Sequence, residues 1–377
     1  MKIKKWFILF AAIALVGALT TTAMAADWGL YGSVRMGTFY NMVDYGEQNA
    51  AGEDDSDSDL RWELQENSRI GARVADGNIT GRFEYGNIAG NANIRILWAE
   101  YDFGGMKIGL GRHYTPVNAW VSSQVYADDA GLLDVGGIYG GRKDMIRATF
   151  LGGAFKLAFI EANVAGLNVD DGDFMDYDGT GGAADTDKLL PKIEARFDLS
   201  LGNDGLLALM GGFNSINVQD AGGNESGSIK SYVAGIMGAH NFGAMYINWD
   251  AFYAVNAGNY GLGSGWVIGS AQAYAYIDPN SFDTADASSI GALVAFGMVF
   301  NDTISMEVGT GYRVDDNEDM GFDDPDTTMA CYGLLPIVLG KGFFVAPEIG
   351  AYFGGEDGNG NDSDTITYVG AKWQINF

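Results

Sequence analysis

The sequence predicts an all-β fold: a single transmembrane antiparallel β-barrel of sixteen strands, with the third outer loop folded inward. Three observations predict it. Apolar and polar residues alternate with a period of two along most of the chain, the mark of strands with one dry and one wet face. An export signal stands in front of them. Short glycine-containing turns alternate with long acidic connections, as in a barrel with tight turns on one rim and long loops on the other.

The first 25 residues have the layout of a secretory signal peptide. Lys2, Lys4 and Lys5 give a positive start, Trp6–Leu19 is nearly all apolar, and Ala23-Met24-Ala25 supplies a small-x-small cleavage pattern before Ala26. The apolar run is short for a membrane span. Residues 26–377 are then expected to form one barrel domain, since no Pro-rich or Ser-rich linker divides them. With 56 Gly, 19 Tyr, 21 Phe and 8 Trp against 6 Pro, the composition suits long bent strands ending in aromatic girdles.

Strands are expected at 28–42, 59–76, 78–88, 93–103, 105–112, 144–152, 155–163, 188–199, 205–218, 228–239, 243–254, 266–277, 290–300, 302–314, 327–338, 342–353 and 364–377. The faces are clearest in three of them. Arg61, Glu63, Arg69 and Arg73 alternate with Trp62, Leu64, Ile70 and Val74. Lys192, Glu194, Arg196 and Asp198 alternate with Ile193, Ala195, Phe197 and Leu199. In the last strand Val369, Ala371, Trp373, Ile375 and Phe377 oppose Gly370, Lys372, Gln374 and Asn376. A soluble sandwich would point the apolar face into a core. A membrane barrel turns it to lipid and lines the lumen with the charged face. The map holds one segment too many for an even-stranded barrel. The conflict lies within Tyr253–Ser289, where a short strand is hidden or a mapped segment is loop; sixteen strands is the reading and eighteen the alternative.

About thirty residues separate Arg112-His113-Tyr114-Thr115-Pro116 from the next strand pattern near Asp144. This insertion, including QVYADDAGLLDV at Gln124–Val135, is far less charged than the other long connections. Such a segment can pack against a wall inside a wide barrel.

The signal peptide, the strand ending in a terminal phenylalanine and the Gly-Arg-His-Tyr-Thr-Pro stretch resemble the general porins of Gram-negative outer membranes. The resemblance covers residues 26–377 in layout, with short motifs. It implies a homotrimer of sixteen-stranded barrels, placed in outer-membrane lipid and lipopolysaccharide by the barrel-assembly machinery and passing small hydrophilic solutes. It assigns Trp373, Ile375 and Phe377 to the assembly signature. It also implies a constriction, with Asp128, Asp129 and Asp134 as loop acids facing Arg69, Arg73, Arg82, Arg95, Arg112 and Arg147 on the wall. Alternation puts Arg69, Arg73, Arg82 and Arg147 on lumen faces. Arg95 is expected there too, opposite Ile94, Ile96 and Trp98. Arg112 shares parity with Ile108 and Leu110, so a bulge must turn it inward. The plainer reading is that these arginines pair with wall carboxylates such as Glu63 and Glu84. A solute-specific channel and a non-conducting structural or adhesive barrel are the other functional readings.

The formal charge of −27 is concentrated in Asp44–Asp59, Asp170–Asp187, Asp315–Asp326 and Glu356–Asp364. Blocks of this kind are solvated loops, and their sign disfavours a nucleic-acid partner. Asp55, Asp57 and Asp59, and Asp357, Asn359, Asn361 and Asp364, offer oxygen ligands for Ca²⁺. Neither run has the spacing of a calcium loop. No other cofactor is indicated. Cys331 is the only cysteine, so no intramolecular disulfide forms. With His113 and His240 the only histidines and no Gly-x-Ser-x-Gly motif, no catalytic arrangement can be placed.

Overall fold

Sixteen strands, each antiparallel to its neighbours, close into one barrel. The computed structural model describes residues 26–48, 54–88, 90–163, 185–188, 190–202, 205–219, 226–263, 270–277, 284–317, 324–355 and 364–377. The expected signal peptide at 1–25 lies outside them, as do most of the acidic segments Asp170–Asp187 and Glu356–Asp364.

The strands are β1 (Asp27–Gln48), β2 in two parts (Asp54–Leu64 and Arg69–Asp76), β3 (Ile79–Ile88), β4 (Asn91–Asp102), β5 (Met106–Tyr114), β6 (Arg142–Phe150) and β7 (Phe155–Ile160). They continue as β8 in two parts (Asp185–Asp187 and Lys192–Gly202), β9 (Gly205–Gln219), β10 (Ser226–Phe242), β11 (Met245–Val255) and β12 (Ser288–Val299). The last are β13 (Ser305–Asp316), β14 in two parts (Asp326–Leu334 and Ile337–Gly340), β15 (Phe343–Gly354) and β16 (Thr365–Asn376). Each divided strand keeps the same neighbour across its break: β1 pairs with both parts of β2, β9 with both parts of β8, and β15 with both parts of β14. Pro336, which has no N–H to donate, sits in the β14 break.

Closure is made by β1 and β16, in register from Ser33↔Asn376 to Asp44↔Thr365. The chain end completes the seam: Phe377 and Gly32 exchange backbone hydrogen bonds of 2.8 and 3.1 Å. The Phe377 ring lies where a Gly32 side chain would be, with its nearest atom 2.5 Å from an ideal Cβ. Closure matters because a strand edge in lipid would leave N–H and C=O groups without partners.

Connections alternate strictly between the two rims. The tight turns after β2, β4, β6, β8, β10, β12 and β14 lie on one rim, and Gly77, Gly104, Gly152 and Gly243 there take the left-handed backbone that such turns require. Exposed Trp28, Phe103, Phe242, Phe300 and Phe377 ring this rim as an aromatic girdle. Trp62, Ile70, Leu97, Leu110, Ile146, Leu209, Ile290 and Ile349 are exposed along the outer wall. In β16 the same parity leaves Trp373 and Ile375 outward while Lys372 and Gln374 are buried toward the lumen. Among the described residues no helix is long and apolar enough to cross a membrane.

Two expectations need correction. The segment 266–277 is not a barrel strand. Its described part holds a turn of 3₁₀ helix at Ala271–Ala273 and a two-residue bridge, Tyr276–Ile277, outside the barrel. Removing it leaves the even number. In β4, Ile96 and Trp98 do not face lipid. Glu84 pairs with Ile96 and Tyr85 with Ile94, so Arg95 is an extra residue in a β-bulge. Parity flips there: Arg95, Ile96 and Trp98 are buried on the inner side, whereas Ile94 and Leu97 are exposed outside.

Candidate channel constriction

The connection between β5 and β6, residues 115–141, enters the lumen. Its neck is pinched by backbone hydrogen bonds from Thr115 to Gly141, Gly140 to Val117 and Ala119 to Ile138, at 3.1, 2.7 and 2.8 Å. Beyond the neck its apolar side is buried. Val117, Val121, Val125, Tyr126, Leu132, Val135 and Ile138 form one cluster with Phe39, Met210, Val233, Phe252, Leu293, Tyr332, Tyr352 and Tyr368 of the wall. Tyr126 stacks on Tyr368 with ring centres 3.8 Å apart. The fit is close at Gly136, where φ is +87° and an added Cβ would lie 2.1 Å from the Ala292 carbonyl oxygen. Gly311 is matched in the same way to the Val135 carbonyl.

A buried loop must satisfy its backbone donors, since an unpaired buried N–H costs about 1–3 kcal/mol. Three wall glutamates accept them. Glu194 on β8 receives Val117 N–H at 2.9 Å. Glu307 on β13 receives Ser123 N–H at 2.6 Å and its hydroxyl at 3.0 Å. Glu348 on β15 receives Val125 and Tyr126 N–H at 2.7 and 3.1 Å. Gln124 fills the gap, donating to the Tyr352 and Tyr368 hydroxyls and accepting from Leu132 N–H.

The loop tip is a single left-handed turn: Ala127, Asp128 and Asp129 have φ of 47, 63 and 60°. That conformation costs non-glycine residues roughly 1–2 kcal/mol each, less for Asp. It is held against the break in β2. Gln65 donates to the Val125 carbonyl at 2.9 Å, Glu66 N–H to the Asp128 carboxylate at 2.6 Å, and the Asn67 amide to the Asp128 carbonyl. Asp129 bridges Arg35 of β1 and Lys372 of β16, the lysine at 2.6 Å.

A second inward segment follows β11. The helical turn Ala257–Tyr260 is fully buried, with the Tyr260 hydroxyl on Glu194 at 2.9 Å. Lys192 donates to the Tyr260 carbonyl at 2.9 Å and lies 3.1 Å from Glu194. Glu194 therefore ties both inward segments to β8.

The space left between the loop tip and the wall is a cavity of about 800 Å³. Arg35, Arg61, Arg69, Arg95, Arg142 and Lys372 line it, with Glu63, Glu66, Asp128 and Asp129. Behind it, Glu84 of β3 accepts three guanidinium groups, from Arg82 at 2.7 Å, Arg95 at 3.0 Å and Arg69 at 3.4 Å. Three cations on one fully buried carboxylate leave a local excess of positive charge. Burial pushes the Asp128 carboxyl up to about 6, with Glu63, Glu66 and Asp129 adding to the rise and the Glu66 N–H opposing it.

The anticipated site residues thus separate. Arg69, Arg95, Asp128 and Asp129 meet at the cavity. Arg82 stands behind it on Glu84 and on the Tyr31 hydroxyl at 2.8 Å. Arg73 lies further toward the tight-turn rim, 5.4 Å from the Tyr31 ring centre. Arg147 pairs with Glu100 at 3.4 Å and covers Trp98. Arg112 does not turn inward. It keeps the outward parity of its strand partner Leu97 and forms two hydrogen bonds, 2.7 and 3.0 Å, with exposed Asp144. Asp134 is buried, 3% exposed, away from the cavity lining. Sequence reasoning did not join Arg35, Arg142 or Lys372 to the site, nor the docking glutamates. Among the described residues no group of three metal-ligating side chains converges. Asp357, Asn359 and Asn361 of the calcium expectation lie outside those residues.

A closed sixteen-stranded antiparallel barrel is the fold of several known Gram-negative outer-membrane porins. The outer-membrane channel DcaP of Acinetobacter baumannii has it, with a TM-score of 0.67 at 15% identity over 95% of this chain and 99% of that one. The anion-selective porin from Comamonas acidovorans gives 0.54 at 15%, covering 93% and 100%. The trimer form of OmpT from Vibrio cholerae gives 0.54 at 12%, covering 93% and 99%. No family model matches the sequence, and no curated protein matches it.

Proposed function

We propose that the chain is an outer-membrane channel for passive diffusion of small hydrophilic solutes and ions. The observation that carries this reading is the charged cavity left open beside the docked loop. Opposed charges across it set up a transverse field. Polar solutes orient in that field, while apolar ones must displace ordered water. Arg69 and Arg95 form the basic side, and Asp128 and Asp129 the acidic side. Asp129 also moderates Arg35 and Lys372. The lining carries more cations than carboxylates, which favours anions at this point despite the acidic total.

The trimer form among the similar structures supports a homotrimer here. The outward Trp373, Ile375 and Phe377 at the closing seam support a role in recognition by the barrel-assembly machinery.

Single-channel recording of the purified protein in a planar bilayer tests the reading. Current steps grouped in threes, with rates that fall as solute size rises, are expected. Asp129→Asn frees Arg35 and Lys372 and should raise the anion-to-cation permeability ratio about twofold or more. Folded barrel without conductance would leave a structural role instead.

A further inference from the structure

The geometry points to a binding subsite in this cavity for ring-bearing carboxylates, with aromatic carboxylates as the ligand class. The inference rests on the channel reading and specifies what the cavity prefers. Trp120 carries it. Its loop neighbours Ala119 and Val121 are buried, yet the indole is 50% exposed and lines the cavity. It is held edge-on between Tyr114 and Tyr139, with ring centres 5.0 and 5.7 Å away. An apolar ring face is thereby presented to the cavity in a fixed orientation.

The cations stand next to it. The Tyr114 hydroxyl accepts from Arg142 at 3.0 Å and from Arg95 at 3.5 Å, so one side chain links the aromatic group to two guanidiniums. Arg142 also lies over the Tyr114 ring, 5.3 Å from its centre. Arg95 shares Glu84 with Arg69 and Arg82, a carboxylate too few for its cations. The nearby loop acids are engaged elsewhere, Asp128 by Glu66 N–H and Asp129 by Arg35 and Lys372. A solute carboxylate can therefore join Arg142 bidentately, with buried Arg95 adding positive charge behind it, while its ring covers the indole. Neutral rings satisfy only the aromatic half of the site, and acetate only the cationic half.

Benzoate is the probe, with acetate and benzyl alcohol as half-probes. Binding to detergent-solubilised protein is measured by calorimetry, and current block in a planar bilayer. Benzoate should bind saturably and at least about tenfold more tightly than either half-probe. Trp120→Ala should weaken benzoate about tenfold and leave acetate unchanged. Trp120→Phe should restore most of the loss, and Arg142→Gln should weaken both acids. Equal affinity for benzoate and acetate, or unchanged benzoate affinity in Trp120→Ala with normal conductance, overturns the subsite. Benzoate binding to a folded barrel that passes no current upholds the subsite and rejects the channel.

Discussion

Asp128 shows how much one side chain decides at the cavity beside the docked loop. Its carboxyl titrates near 6 in the docked loop, against an ordinary 3.8. The docked tip therefore holds the proton more tightly than a free tip does. That contribution to docking is complete below about 3.8 and is lost as pH rises through about 6. Above 6 the same residue adds a negative charge to the cavity. Anion preference should thus fall between pH 4 and pH 8 with a midpoint near 6. Asp128→Asn should keep the low-pH value throughout. Reversal potentials under a salt gradient measure this, and a flat profile in the unmutated protein would refute it. Asp128 was legible in sequence because it lies in an insertion of low charge that interrupts the strand pattern. Its partner was not, since the Glu66 N–H is available only because β2 breaks at residues 65–68. Arg95 illustrates the same limit. Alternation placed it inside, but the bulge that turns Ile96 and Trp98 inward with it appears only in the β3–β4 register.

At the scale of elements, the inward loop is built as a docked strap. Its backbone donors end on glutamates from β8, β13 and β15, and its apolar side fills the wall opposite the cavity. These glutamates stand on different strands far apart in the chain, so no local pattern announces them. Strand parity marks each as lumen-facing and nothing more. The loop's low charge, by contrast, did announce that it would pack against a wall. Docking depends on a backbone approach at Gly136 that no side chain allows. Gly136→Ala sets a Cβ against the Ala292 carbonyl at a positive φ and should cost docking about 1–3 kcal/mol. The barrel itself should survive, since its ladder does not involve residue 136. Larger and noisier single-channel currents are expected, with cleavage by added protease within 115–141 and unchanged heat stability of the barrel. Unaltered conductance would mean that the loop does not set the pore.

Across the whole molecule two charge systems of opposite sign act at different depths. The chain carries a net −27; among the described residues Asp44, Asp57 and Asp59 belong to the β1–β2 hairpin rather than to a loop, and Asp316 and Asp326 end β13 and β14 at the rim opposite the tight turns. The cavity is lined by Arg35, Arg61, Arg69, Arg95, Arg142 and Lys372 against four carboxylates. Salt separates them. The Debye length is about 10 Å at 0.1 M and about 3 Å at 1 M, so acids at the rim cease to reach a solute in the lumen at high salt. Charges that touch the path are screened far less, being flanked by protein of low dielectric. At 0.1 M the acidic rim should concentrate cations and mask the basic cavity. Raising both baths toward 1 M, at a constant ratio across the bilayer, should move the reversal potential in the anion-selective direction. Neutralising rim acids such as Asp57 and Asp59 should flatten this dependence, whereas Arg95→Gln should lower anion preference at every salt concentration. A reversal potential that drifts toward cation selectivity as salt rises would show that rim acids, not the cavity, govern passage.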